Sequence, residues 1–222
     1  MTHEVIAIDG PSASGKSTVA RHVAGALGRL YVDSGALYRA VAWKALKDGV
    51  DTHDGEAVAQ LVDVTQPEFF VKDGAVRFRL DGVELDRELR DETINRNVSP
   101  VAAEPTVRTH VTQWLRDMME LGELVMEGRD IGTVVFPDAP YKFYLDASPE
   151  ERARRRHAEM EEAEAQMSVG DVHASLSRRD EIDSRRMTAP LAVADDAVVV
   201  DSTAMGIDEV VAYIVARVKR GD

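Results

Sequence analysis

The chain of 222 residues contains no cysteine. That excludes a disulfide framework and any thiolate zinc site, and it agrees with an enzyme of the cytoplasm, where the protein is expected to act. No apolar stretch approaches the roughly 20 residues needed to span a bilayer. No leader is recognisable either, since Met1-Thr2-His3-Glu4 runs straight into an apolar strand, so no membrane partner is expected. The 6 histidines lack His-Glu-x-x-His spacing and read mostly as surface or packing residues. Internal repeats and low-complexity linkers are missing. A chain of this length then suits one large domain, able to bury about 70% of the surface its unfolded form exposes. Positive charge is scarce. The formal net charge of −13 is the wrong sign for a protein whose business is binding DNA or RNA, and no nucleic-acid partner is expected.

The positive charge that is present is mostly arginine, and it clusters. Arg152, Arg154, Arg155 and Arg156 form one group; Arg178, Arg179, Arg185 and Arg186 form another. One reading is local pockets for small anions, because the guanidinium fork matches phosphate geometry. The other is solvated helix faces with Glu–Arg pairs, and Glu151 with Arg155 at i, i+4 fits that.

Gly10-Pro11-Ser12-Ala13-Ser14-Gly15-Lys16-Ser17 is preceded by the apolar run Val5–Ile8 and followed by a helical pattern from Thr18 to Leu27. Strand, glycine-rich loop and helix in this order make a phosphate-binding P-loop. The glycines let backbone N–H groups face inward, and the helix N-terminus adds partial positive charge. Lys16 reaches the outer phosphates, and the Ser17 hydroxyl is placed to hold Mg²⁺. Beyond the loop, strands are expected at Leu30–Asp33, Leu124–Glu127, Tyr141–Asp146 and Ala197–Asp201. Helices are expected at Ala36–Lys47, after Pro105, after Ser148 (with a capping box to Glu151) and at Ile207–Lys219. Alternating β and α elements predict an α/β fold with a five-stranded parallel sheet flanked by helices. Asp73-Gly74 and Asp81-Gly82 separate three short strands, Glu68–Lys72, Ala75–Leu80 and Val83–Leu85, which predicts a small inserted antiparallel meander.

In open parallel sheets ligands lie beyond the carboxyl ends of the strands. Here those ends carry the P-loop, then Asp33-Ser34-Gly35 with Tyr38 and Arg39, then Glu127-Gly128-Arg129-Asp130. Three loaded ends point to a second ligand beside a nucleoside triphosphate, anionic and carrying a hydrogen-bond donor. Arg179, Asp183 and Arg186 share a helix face at i, i+4, i+7, as do Arg152, Arg155 and Arg156. With the hinge-like stretch Met167-Ser168-Val169-Gly170 between them, these faces fit a helical lid that excludes water.

The residues Ile8 to Thr18, Asp33-Ser34-Gly35-Ala36-Leu37-Tyr38-Arg39, Gly128-Arg129-Asp130-Ile131-Gly132-Thr133-Val134-Val135-Phe136-Pro137, Lys142 to Ala147, Ser148 to Arg156 and Ala189-Pro190-Leu191 resemble, in order, the bacterial cytidylate kinases, P-loop nucleoside monophosphate kinases. The resemblance implies a (d)CMP kinase of pyrimidine nucleotide metabolism that uses ATP and Mg²⁺ and acts as a monomer. It implies a core at 1–59, 101–147 and 190–222, a monophosphate-binding insertion at about 60–100 and a lid at about 148–189. Lys16, Arg129, Arg156 and Arg186 would act on the phosphoryl groups. Gly10 through Thr18 and Arg155 would hold ATP. Ser34, Tyr38, Arg39, Ser99, Arg108, Arg129, Asp130, Arg179, Asp183 and Arg186 would hold CMP, with Ser99, Arg108 and Asp130 at the base.

The chemistry agrees. Cytosine offers an amine at N4 and acceptors at N3 and O2, which suit a carboxylate and an arginine; uracil inverts the pattern and leaves buried groups unpaired. The alternative is another small-molecule kinase, adenylate- or shikimate-kinase-like. The chain lacks the Asn-Lys-x-Asp of GTPase switches and the Leu-Ser-Gly-Gly-Gln of transporter ATPases.

Overall fold

The computed structural model describes residues 4–162 and 168–221. The chain runs β1 (Val5–Asp9), α1 (Lys16–Leu27), β2 (Leu30–Asp33), α2 (Ser34–Lys47), α3 (Gly55–Asp63), β3 (Pro67–Lys72), β4 (Ala75–Leu80), β5 (Val83–Glu84), α4 (Glu92–Ala103) and α5 (Pro105–Asp117). It continues through β6 (Leu124–Gly128), β7 (Tyr141–Asp146), α6 (Pro149–Glu162), α7 (Val169–Arg185), β8 (Val198–Asp201) and α8 (Ile207–Arg220). All eight strands join one sheet in the order β3-β4-β2-β6-β1-β7-β8, with β5 paired to β4. Strands β2, β6, β1, β7 and β8 are parallel, as the alternating pattern predicts.

Side chains alternate across the sheet, and both faces are covered. Val5 and Ala7 of β1 pack with α2, α4 and α5. Ile6 and Ile8 face the other way, toward α1 and α8. Each of Val5, Ile6 and Ile8 contributes roughly 1.5–3 kcal/mol by its burial. β1 lies between β6 and β7, so the strand order reverses beside it, where ligands bind in sheets of this kind. At Gly10 the chain leaves β1 so close to β7 that a Cβ would lie 2.1 Å from the Leu145 carbonyl oxygen. Only glycine lets the P-loop begin there.

The meander forms, with Asp73-Gly74 and Asp81-Gly82 all at positive φ, as tight hairpin turns need. It is not a separate body, because β4 extends the main sheet: Tyr31 pairs with Ala75, and the Tyr31 N–H donates to the Gly74 carbonyl at 3.0 Å. Helices flank it on both sides, where the sequence predicted no element. α3 is capped by Asp54, which accepts from the Ala57 N–H at 3.1 Å, and α4 carries Pro100 in its interior. α2 begins two residues early because Asp33 caps it, accepting from the Ala36 N–H at 3.1 Å.

The expected hinge is also different. Met167 lies outside the described residues. Ser168 caps α7, accepting from the Asp171 N–H, and Val169 with Gly170 forms its first turn. Half of the expected capping box is present: the Glu151 N–H donates to Ser148 Oγ at 3.2 Å. The Glu151 carboxylate instead takes Arg154 and Arg155, each at 2.8 Å. Among the described residues, no helix is long and apolar enough to cross a membrane.

Candidate active site

A crevice of about 240 Å³ opens beyond the carboxyl ends of β1, β2 and β6. Ser12, Ala13, Gly15, Lys16, Ser17 and Thr18 line one end of it. Ala13 and Gly15 stand at φ 61 and 90, curling the loop. α1 starts without a side-chain cap, so its first N–H groups remain available to an anion. Lys16 Nζ donates to the Pro11 carbonyl at 3.0 Å and sits 4.0 Å from Glu127 Oε2. Burial, with the charge of Arg129, lowers the Lys16 pKa to about 7. Gly10, Pro11 and Ser14 form the underside of the loop and do not line the crevice.

The first arginine cluster divides. Arg154 is exposed and paired with Glu151. Arg152 is buried, forms an ion pair with Asp180 of α7 and donates to the Ser12 carbonyl at 3.1 Å. Arg155 donates to the Ser14 carbonyl at 3.2 Å and to the Ser202 hydroxyl and carbonyl at 3.0 and 2.7 Å. Arg155, the residue of this cluster expected to hold ATP, braces the loop from behind and lies outside the crevice lining. Only Arg156, half-exposed and paired with Glu159 at 3.0 Å, lines the crevice. The second cluster divides likewise: Arg178 and Arg185 face solvent, while Arg179 and Arg186 face inward. Anion pocket and solvated helix face are each right for different members.

Arg39, Arg129, Arg156 and Arg179 converge in the middle of the crevice. Arg39 pairs with Asp33 at 2.7 Å. Arg129 pairs with Asp183 at 3.0 Å and donates to Ser12 Oγ at 3.1 Å. Arg179 makes no hydrogen bond or ion pair among the described residues. Burial and then Arg129 push its pKa down to about 10, with Arg156 and Arg39 adding to the repulsion. Four guanidinium groups lining one crevice have the chemistry to take a multiply charged anion.

The far end is built differently. Arg108 of α5 and Asp130 form a buried ion pair, and Arg186 Nη2 lies 3.6 Å from the other carboxylate oxygen of Asp130. The Arg108 guanidinium lies 5.2 Å from the Tyr38 ring centroid. Arg108 Nε, Arg186 Nη2 and the Tyr38 hydroxyl are buried without hydrogen-bond partners among the described residues. Native interiors rarely leave such groups unmatched, so a polar ligand is the natural partner. Ser99 of α4 lines this end. Ser34 lines the crevice too, but its hydroxyl donates to the Glu127 carbonyl at 2.7 Å.

Reading by sequence alone missed Asp9 and Asp180, and it placed Asp33 and Glu127 at the loaded strand ends without giving them a role. Glu127 is buried and accepts from Ser17 Oγ at 2.5 Å. Burial and the charge of Asp33 raise its pKa. Its place at a strand end beside β1 was the available signal. Asp33 lines the crevice beside it. Asp180 accepts from the Ser12 N–H at 3.2 Å, and Asp9 accepts from two N–H groups after β6. Contacts of such long range leave no mark in local spacing.

The family described as Cytidylate kinase matches residues 6–220. The chain is similar to a cytidylate kinase of Pelotomaculum thermopropionicum, 46% identical over 97% of this chain and 96% of the relative. It is also similar to cytidylate kinases of Shouchella clausii, 44% identical over 96% and 95%, and of Alkaliphilus metalliredigens, 44% identical over 95% and 94%. The adenylate- or shikimate-kinase-like alternative is not favoured. A match over nearly the full length, with a phosphate loop and an arginine-lined crevice where the sheet places them, identifies this chain as a member of the cytidylate kinase family.

Proposed function

We propose that this chain transfers the γ-phosphoryl group of ATP to CMP, and to dCMP, forming CDP and dCDP. The observation that carries the reading is the convergence of Arg39, Arg129, Arg156 and Arg179 between the P-loop and the Arg108–Asp130 pair. The P-loop residues 10–18 hold the triphosphate of ATP, and Arg155, which also braces the loop, holds ATP beside them. Lys16, Arg129, Arg156 and Arg186 neutralise charge on the transferring group. Ser34 and Arg39 hold the monophosphate side, and Arg179 with Asp183 faces the sugar. Asp130 accepts from cytosine N4, Arg108 donates to N3 and O2, and Ser99 and Tyr38 complete that end. The CMP phosphate has a second pKa of about 6 and is already dianionic at neutral pH, so no general base is required. Catalysis is then positioning and electrostatic stabilisation.

Magnesium fits the residues present: Asp33 and Glu127 are register partners on adjacent strands, and the Ser17 hydroxyl of the P-loop donates to Glu127, so oxygen donors of the kind magnesium prefers stand together beside the loop. Ser17, Glu127 and Asp33 would hold it with the phosphates. When bound, it would neutralise phosphate charge.

The segment 148–189 acts as the lid, 60–100 as the monophosphate-binding insertion, and 1–59, 101–147 and 190–222 as the core. The protein works as a monomer in the cytoplasm. Arg156→Glu is expected to lower turnover at least about tenfold. Its stability should stay within about 1 kcal/mol, because the side chain is half-exposed. A lower melting temperature with normal turnover would make Arg156 a salt-bridge partner only. The same change at Arg186 is a poorer probe, since that side chain is 5% exposed and donates to the Ala189 carbonyl. Amide exchange in α6 and α7 should slow when CMP and an inert ATP analogue are both bound; equal exchange would contradict the lid.

A product assay tests the reaction class. With CMP, ADP and CDP should appear in equal amounts without inorganic phosphate; without CMP, ATP should persist. Phosphate release independent of CMP would indicate a nucleotide-driven switch.

A further inference from the structure

β1 ends at Asp9, whose side chain crosses to the loop after β6. Its two carboxylate oxygens accept from the Ile131 and Gly132 N–H groups, each at 2.8 Å. These residues open a π-helical turn, Ile131–Val135, that closes back on Asp130: the Val134 and Val135 N–H groups donate to the Asp130 carbonyl at 2.9 and 3.1 Å. The first N–H groups of such a turn have no acceptor within it. An aspartate in the preceding position ordinarily caps them with its own side chain. Asp130 holds that position and makes no such bond; its carboxylate is turned instead to Arg108 and Arg186.

We propose that Asp9 is a positioning residue for Asp130. It supplies from another strand the cap that Asp130 would otherwise provide, and so leaves the Asp130 carboxylate free to face the crevice. The turn is closely packed: a Cβ on Gly128 would lie 2.6 Å from Ser34 Oγ, and one on Gly132 would lie 3.2 Å from the Lys142 side chain. Asp9 itself is 5% exposed, and burial outweighs its two N–H bonds enough to raise its pKa to about 6.

This inference rests on Asp130 contacting the base of the acceptor nucleotide. Asp9→Asn keeps the shape but sets an amide N–H₂ against one of the two N–H groups, so Asp130 should swing back to cap its own turn. We expect KM for CMP to rise about tenfold or more, as small misplacements do. KM for ATP should stay within about twofold, and the preference for CMP over UMP should fall. Asp9→Ser, which keeps a hydroxyl acceptor and removes the charge, is read in the same way if Asp9→Asn folds poorly. KM values do not depend on how much enzyme folds. In an Asp130→Asn background the Asp9 substitution should add less than about twofold to the loss of selectivity, because the two residues act through one group. An unchanged KM for CMP in both Asp9 variants, or losses that multiply fully in the double variant, would overturn the proposal. Wild-type enzyme that ignores CMP would instead overturn the functional reading. The Asp9 comparison would then be made with the monophosphate the enzyme does use.

Discussion

Replacing Lys16 with alanine is expected to lower turnover at saturating ATP by at least about 10²-fold, roughly 2.7 kcal/mol of transition-state stabilisation. The melting temperature should change little, because relief from burying the ammonium is offset by leaving Glu127, 4.0 Å away, without its cation. Lys16 is buried with Arg129 nearby, and its pKa falls from 10.5 to about 7. A lysine whose pKa is lower in the folded state than in the unfolded chain destabilises the fold while it is charged. Between about pH 7 and 10.5 the unfolded chain binds a proton that the native state does not, so wild-type stability gains from rising pH in that window. Lys16→Ala removes that contribution. The charge is therefore held for the ligand rather than for the fold. Near wild-type turnover, or a clear loss of melting temperature at neutral pH, would contradict this account of the loop.

Asp130→Asn should lower the CMP-over-UMP ratio of kcat/KM by about 10- to 10²-fold, since a hydrogen bond to a charged group contributes roughly 1.5–3 kcal/mol. The amide no longer offers acceptors alone. Its N–H₂ gives uracil O4 a donor that the carboxylate lacks, so part of the change should appear as a gain for UMP. KM for ATP should hardly move. Asp130→Ala is a less clean probe, because it leaves Arg108 buried beside an empty space, and breaking a buried pair costs about 3–5 kcal/mol. An unchanged ratio in Asp130→Asn would remove Asp130 from base selection.

Much of this architecture was legible because its determinants are local. The apolar runs of β1, β2, β6 and β7, the glycines of the P-loop and the Asp-Gly turns each act within a few residues of themselves, and the strands formed where those features stand. Proximity at the carboxyl ends of parallel strands then followed from topology, which is why Lys16, Arg39, Arg129 and Asp130 meet as expected. Two kinds of feature were hidden. α4 carries Asn95, Asn97 and Pro100, residues that weaken a helical pattern, and it is held by burying Ile94, Val98 and Val101 against the core. The bonds from Asp9 to the loop 122 residues on, and from Asp180 to Ser12, depend on tertiary placement. The same placement separates Arg155, turned to the back of the loop, from Arg156, turned into the crevice, although the two are neighbours in the chain.

The most direct test of the central claim is the rate of ADP formation from ATP and Mg²⁺ with each of CMP, dCMP, UMP, AMP and GMP. The Arg108–Asp130 end predicts efficient turnover with CMP and dCMP and kcat/KM for UMP lower by at least about 10-fold, with AMP and GMP poorer still. Equal use of UMP and CMP, or preference for a purine monophosphate, would contradict the account.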